Sequence, residues 1–96
     1  MAELLSDTEI DTALTKLPHW HRDGATLTRT IESATFPAAI ALVGRVAEAA
    51  ESMNHHPDMD IRWRKVTYSL STHSAGGITG SDLELARRID DLAAAS

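Results

Sequence analysis

The segment from Phe36 to Asn54 most constrains the fold, because it is long, apolar and bounded by helix start and stop signals. Pro37 fits the first turn of a helix, where its missing N–H costs little, and Pro57 follows the predicted end. Apolar residues recur at helical spacing in two stripes. The stripes are Phe36, Ile40, Val43, Ala47 and Ala50, and Ala39, Leu42, Val46, Ala49 and Met53.

Together the two stripes cover about half of the helix circumference, which is wide for a contact with one sheet. We therefore predict that the helix packs on its own sheet and also on a partner subunit. The resulting assembly would be a homodimer or homotetramer built on Phe36–Met53, and sheet edges could also pair between subunits. A helix buried deeply within one chain is the alternative.

Two stretches with strand-type alternation flank this helix. Asp23-Gly24 predicts a hairpin turn, because both residues tolerate a positive φ. Further along, the apolar side chains move from odd to even positions at Arg64-Lys65, which predicts a tight hairpin there. The four predicted strands cover residues 20–22, 26–32, 60–64 and 66–72.

Capping signals predict one helix before the first hairpin and another after the second. Ser6 followed by Glu9 fits a capping box, and Thr79 followed by Asp82 fits one with aspartate in place of glutamate. The third helix then continues to about residue 94. The order α-β-β-α-β-β-α predicts a single α+β domain over residues 1–96, with one four-stranded antiparallel sheet and three helices on one face.

The composition argues against several classes of function. The net charge is −5, and no basic run is long enough to follow a phosphate backbone, so we expect no nucleic-acid ligand. The absence of cysteine excludes thiolate metal sites and disulfides within the chain. No stretch approaches the roughly 20 apolar residues of a membrane span, and the first residues lack the apolar core of a signal peptide. We expect a cytoplasmic protein with no membrane contact.

Three histidines, His55, His56 and His73, are the candidate functional residues. Imidazole exchanges protons near neutral pH, which suits acid–base catalysis. Glu51 lies one helical turn before His55, so its carboxylate could accept a hydrogen bond from that ring and fix its tautomer. Three histidines could instead bind zinc, although their spacing matches no known zinc helix. A third possibility is that they are polar surface residues at a turn.

The spacing of these residues resembles the signature of the pterin-4a-carbinolamine dehydratase family. The signature comprises Glu51, three residues, then His55-His56-Pro57, with Trp63, His73 and Asp82 following after gaps of five, nine and eight residues. Three further segments are also similar to the family: Leu17-Pro18-His19-Trp20, Arg45-Val46-Ala47 and Leu70-Ser71-Thr72-His73. The resemblance covers roughly residues 17–92.

This resemblance implies dehydration of 4a-hydroxytetrahydropterin to quinonoid dihydropterin, which recycles the pterin cofactor of aromatic amino acid hydroxylases. His55 and His73 would be the acid and base, and His56 would position the pterin and assist proton transfer, without metal or cofactor. Glu51 and Asp82 would support them. The resemblance also implies a substrate-binding role for Pro57, Ser71, Thr72, Ser74 and Trp20.

Several alternatives remain open at the level of the sequence. Trp20 could close the site or belong to the core, and Trp63 could belong to the core or to an interface. Capping of the third helix alone would explain Asp82. A non-catalytic dimerisation or assembly partner with the same fold is the alternative function.

Overall fold

The computed structural model describes residues 3–96, and its elements follow the predicted order α-β-β-α-β-β-α. A 3₁₀ turn at His73–Ala75 precedes the last helix. None of the helices combines the length and the apolar character that crossing a membrane requires. The elements are α1 (Asp7–Leu14), β1 (His21–Asp23), β2 (Thr26–Glu32), α2 (Phe36–Met53), β3 (Asp58–Arg62), β4 (Lys65–Leu70) and α3 (Gly80–Ala94).

The four strands form one antiparallel sheet, as predicted, and their order in the sheet is β1-β2-β4-β3. The side chains on one face of the central strands pack under the helices, whereas Thr30 and Thr67 bond to each other through their hydroxyls on the other face, 2.8 Å apart. The core residues contributed by β2 and β4 are Leu27, Val66, Tyr68 and Leu70.

Both hairpin turns differ from the predicted positions. In the first hairpin, Gly24 and Ala25 form the turn instead of Asp23 and Gly24, and Asp23 pairs with Thr26. Strand β1 begins one residue later than predicted. Gly24 has a φ of +60°, which glycine adopts without a steric penalty.

In the second hairpin, Trp63 and Arg64 form the turn, and Arg62 pairs with Lys65. The predicted turn at Arg64-Lys65 is therefore wrong by one residue. Trp63 takes a φ of +57°, a conformation uncommon for residues other than glycine, so its residue type gave no turn signal. β4 ends at Leu70, not at residue 72.

Helix α2 begins and ends close to the predicted positions, and both of its ends are capped. The Thr35 hydroxyl accepts a hydrogen bond from the backbone N–H of Ala38 at 3.1 Å, and Asn54 ends the helix in the left-handed conformation. The stripe that contains Ala39, Leu42 and Val46 packs into the core.

The other stripe of α2 is largely open to solvent in the isolated chain. Phe36 is 46% exposed and Ile40 is 39% exposed, whereas Ala50 of the same stripe is buried. The exposed part has no covering within residues 3–96, which leaves an apolar strip along the first turns of α2.

The two predicted capping boxes are both present. At the start of α1, Ser6 and Glu9 bond reciprocally through side chain and backbone at 3.1 and 2.9 Å. The backbone and hydroxyl of Ser6 lower the pKa of the Glu9 carboxyl. Thr79 and Asp82 form the corresponding box at the start of α3.

Tyr68 supplies a test of the core packing. Its side chain is buried at the centre of the sheet, and its hydroxyl has no hydrogen-bond partner among residues 3–96. Burial raises the pKa of Tyr68 to about 12, opposed by the nearby charge of Arg45. Because an unpaired buried hydroxyl costs free energy, Tyr68→Phe should leave the free energy of unfolding unchanged or raise it by about 1 kcal/mol. Urea denaturation measures this change, and a loss of about 1 kcal/mol or more would contradict it.

Candidate active site

The left-handed conformation of Asn54 directs the chain from the end of α2 into the His55-His56-Pro57 segment. The backbone N–H of His55 bonds to the carbonyl of Ala50 at 3.0 Å, five residues back, which is typical of a helix closed by a left-handed residue. The two histidines therefore no longer follow helical spacing, and their rings take different partners.

His55 pairs with Asp82 and not with Glu51. The ring Nε2 lies 2.6 Å from Asp82 Oδ1, and the His55 side chain is 12% exposed while Asp82 is buried completely. The predicted Glu51–His55 bond is wrong, because the turn at Asn54 places His56 over Glu51 instead. His56 Nε2 lies 2.8 Å from Glu51 Oε1, and both side chains are exposed.

The second oxygen of Asp82 is held by two further donors. Asp82 Oδ2 accepts from the Thr72 hydroxyl at 2.8 Å and from the Thr79 backbone N–H at 2.9 Å. The contact with Thr79 is the capping interaction that the sequence predicts. Asp82 therefore caps α3 and binds His55 at the same time, so capping alone does not describe it.

These contacts determine the tautomer of His55. An ionised carboxylate only accepts hydrogen bonds, so Nε2 of His55 carries the proton that points to Asp82. The neutral ring then has its lone pair on Nδ1. A buried carboxylate with three donors also stabilises the imidazolium that forms when Nδ1 takes up a proton.

His73 is exposed and begins the 3₁₀ turn directly after Thr72. Since Thr72 contacts Asp82, the chain brings His73 to the edge of the network that holds His55. Ser74, next in the turn, is also exposed.

Two of the hydroxyls predicted to bind substrate have partners inside the protein. Thr72 is buried and donates to Asp82, and Ser71 donates to the backbone carbonyl of Ala25 at 2.7 Å. Thr72 therefore does not offer its hydroxyl to a ligand at the surface. Pro57 is half-buried after His56, and Ser74 presents an exposed hydroxyl.

Trp20 lies in the core, one of the two places expected for it, whereas Trp63 lies at an exposed turn. Trp20 is 3% exposed within the core, and its Nε1–H donates to Asp90 at 2.8 Å, so it does not close the site. Trp63 is 68% exposed at the second hairpin turn, with the Arg64 guanidinium 4.7 Å from its ring centre. A core position for Trp63 is wrong, and an interface position remains a prediction.

Within residues 3–96, no three histidine, aspartate or glutamate side chains are grouped so that they could hold a metal ion. His55 and His56 each use one ring nitrogen on a carboxylate. The absence of a metal requirement stays a prediction.

The fold and site define an α+β domain with a histidine–aspartate pair and two exposed histidines suited to acid–base chemistry. The chain belongs to the pterin 4 alpha carbinolamine dehydratase family, whose family model matches residues 3–92.

Its relatives match over nearly their whole length. A Nocardia farcinica protein with the provisional name pterin-4-alpha-carbinolamine dehydratase is 66% identical over 91 residues, covering 95% of this chain and 96% of its own. A Roseiflexus castenholzii protein with the same provisional name is 54% identical over 92 residues, covering 96% and 99%.

Two solved structures share the fold. A Brucella melitensis structure described as a transcriptional coactivator/pterin dehydratase has a TM-score of 0.89 at 30% identity, covering 93% of this chain and 97% of its own. A pterin dehydratase-like protein described as a RuBisCO assembly factor in the alpha-carboxysome has a TM-score of 0.67 at 21% identity, covering 80% and 92%. The second likeness concerns the fold alone.

Proposed function

We propose that the protein dehydrates 4a-hydroxytetrahydropterin to quinonoid dihydropterin and so recycles the pterin cofactor of aromatic amino acid hydroxylases. The observation that carries this proposal is the His55–Asp82 pair, at 2.6 Å, in a chain of the pterin dehydratase family. The exposed His73, adjacent in sequence to a residue of the same network, supplies a second imidazole.

The reaction breaks the C4a–OH bond and releases one molecule of water. One group must give a proton to the departing hydroxyl, and another must remove a proton from a ring nitrogen of the pterin. In this proposal, Nδ1 of His55 accepts the ring proton, and Asp82 stabilises the imidazolium that results. His73 gives its proton to the hydroxyl, and proton exchange with solvent returns both imidazoles to their starting states.

The direct test is the decay of synthetic 4a-hydroxytetrahydropterin, followed by stopped-flow absorbance with and without the protein. The protein should accelerate the decay above the spontaneous rate, and heat-denatured protein should not. If pterin binds without acceleration, the non-catalytic role as a binding partner is favoured instead.

His56 and Glu51 should affect binding more than turnover. Both are exposed and bond to each other, so they can orient a ligand at the rim of the site. We expect His56→Ala to raise KM with a smaller effect on kcat, and Glu51→Gln to give a smaller loss of kcat/KM than replacement of His55 or His73. Steady-state kinetics separate these effects. A loss of kcat in His56→Ala as large as that in His55→Ala would contradict the assignment.

We also propose that the protein is a homodimer or homotetramer. The exposed Phe36 and Ile40 on α2 support this, because an apolar strip gains free energy when a partner covers it. The edge strands β1 and β3 could pair between subunits. Sedimentation at micromolar concentration should show a species larger than 10.4 kDa.

A charge at the centre of the strip tests this assembly. Ile40→Glu should shift the sedimentation profile towards the monomer, whereas Thr12→Glu, which adds the same charge at an exposed position on α1, should not. A wild-type protein that sediments only as a monomer would contradict the proposal.

A further inference from the structure

Thr72 is buried beside the site, and its side chain belongs to the network that holds His55. Its hydroxyl lies 2.8 Å from Asp82 Oδ2 and 2.8 Å from the Thr79 hydroxyl. Thr72, Thr79 and Asp82 are the buried polar side chains among residues 3–96, and they contact one another. The three form a sealed polar cluster with His55 at its outer end.

The direction of each hydrogen bond in this cluster follows from the donors available. The Thr72 hydroxyl has one proton, and the carboxylate of Asp82 only accepts, so that proton points to Asp82. The Thr79 hydroxyl must then donate to Thr72, while it accepts from the backbone N–H of Ser81 at 3.3 Å. The chain of bonds therefore has a single direction and ends on the carboxylate that binds His55.

The backbone of Thr72 anchors the turn that carries His73. Its N–H donates to the Gly77 carbonyl at 2.8 Å, and its carbonyl accepts from the N–H groups of Ala75 and Gly76 at 3.0 and 2.9 Å. Thr72 thus contacts both the carboxylate that binds the proposed base and the turn that bears the proposed acid.

We propose that Thr72 is a positioning residue for the dehydration, which sets the orientation of His55 through Asp82 and fixes the start of the turn that bears His73. This inference rests on the proposed function. Without the Thr72 hydroxyl, Asp82 loses one of three donors and the Thr79 hydroxyl loses its acceptor. The Thr79 backbone N–H alone then holds Oδ2, so the carboxylate is less firmly oriented and its hydrogen bond with His55 Nε2–H weakens.

Thr72→Val removes the hydroxyl with little change in shape, and Thr72→Ser retains it. Thr72→Val should lower kcat by about 10- to 100-fold, the size found for groups that orient metal-binding histidines in other proteins, with KM changed by less than about twofold. Thr72→Ser should restore most of kcat. Thr67→Val is the matched control, because Thr67 also bonds to another threonine hydroxyl but on the open face of the sheet.

A second measurement does not depend on catalysis. Nitrogen-15 NMR of the histidine rings, without pterin, should show a protonated Nε2 at His55 whose proton exchanges faster in Thr72→Val than in the wild type or in Thr67→Val. If the wild type proves inactive, the proposed function fails while this spectrum still decides the role of Thr72.

The proposal is overturned if Thr72→Val keeps the wild-type kcat in an active enzyme, or if the His55 exchange rate is unchanged. A change confined to KM, or a Thr72→Ser variant as impaired as Thr72→Val, also overturns it. If Thr72→Val does not fold, Thr72→Ala, which leaves space for water, is measured with the same expectations. If neither folds, Thr72 has a structural role only and the proposal is wrong.

Discussion

Replacing either His55 or His73 with alanine should lower kcat by about two to four powers of ten, the range expected for general acid–base groups. His55 lies at the end of α2 with its Nε2 on Asp82, and His73 begins a separate turn after β4. Each would handle a different proton of the same reaction, so each loss should appear mainly in kcat. Stopped-flow assays at saturating pterin give this value directly.

The matched control is His21→Ala, since His21 is an exposed histidine on β1. It should retain the wild-type kcat. Near-normal turnover in folded His55→Ala and His73→Ala variants would contradict the acid–base assignment and favour the binding-partner role.

Asp82→Asn should lower kcat by about 100- to 10,000-fold, because the amide cannot satisfy all three donors that the carboxylate accepts. If its NH₂ group faces His55, the ring must accept at Nε2, and the lone pair at Nδ1 is lost. If its oxygen faces His55, the NH₂ group meets the Thr79 backbone N–H, and a buried donor is left unpaired. We expect a loss of about 1–3 kcal/mol in the free energy of unfolding as well.

Asp90→Asn is the control for this variant. Asp90 accepts from the Trp20 indole and the Arg29 guanidinium, and it forms no hydrogen bond with His55, His56 or His73. The Asp90→Asn variant should have a lower free energy of unfolding and keep the wild-type kcat. A folded Asp82→Asn protein with wild-type kcat would show that the His55–Asp82 pair does not serve the reaction.

The element order and the sheet could be predicted from the sequence, because apolar periodicity and capping residues act locally. The two capping boxes lie where their residue types predict, and α2 begins at the predicted Phe36. Each hairpin turn lies one residue from the position that the sequence predicts. In the second turn, a tryptophan gives no indication of a positive φ, yet Trp63 adopts one.

Spacing in the sequence marks the candidate site residues, but it does not predict how their side chains pair. Helical spacing predicts a Glu51–His55 contact, and the left-handed Asn54 breaks that spacing one residue earlier. The His55–Asp82 contact depends on how α3 begins beside the end of α2, which is a tertiary arrangement. For Thr79 the sequence predicts only a capping role, and its hydrogen bond to Thr72 depends on the tertiary structure.

The central claim is that His55 and His73 together move the protons of the dehydration, and the double variant His55→Ala/His73→Ala tests it most directly. Its kcat should be lower than that of either single variant, and the loss should be smaller than the product of the two single losses, because groups that act as a unit are not additive. Circular dichroism would confirm that the double variant is folded. A folded double variant that consumes 4a-hydroxytetrahydropterin at the wild-type rate would contradict the claim.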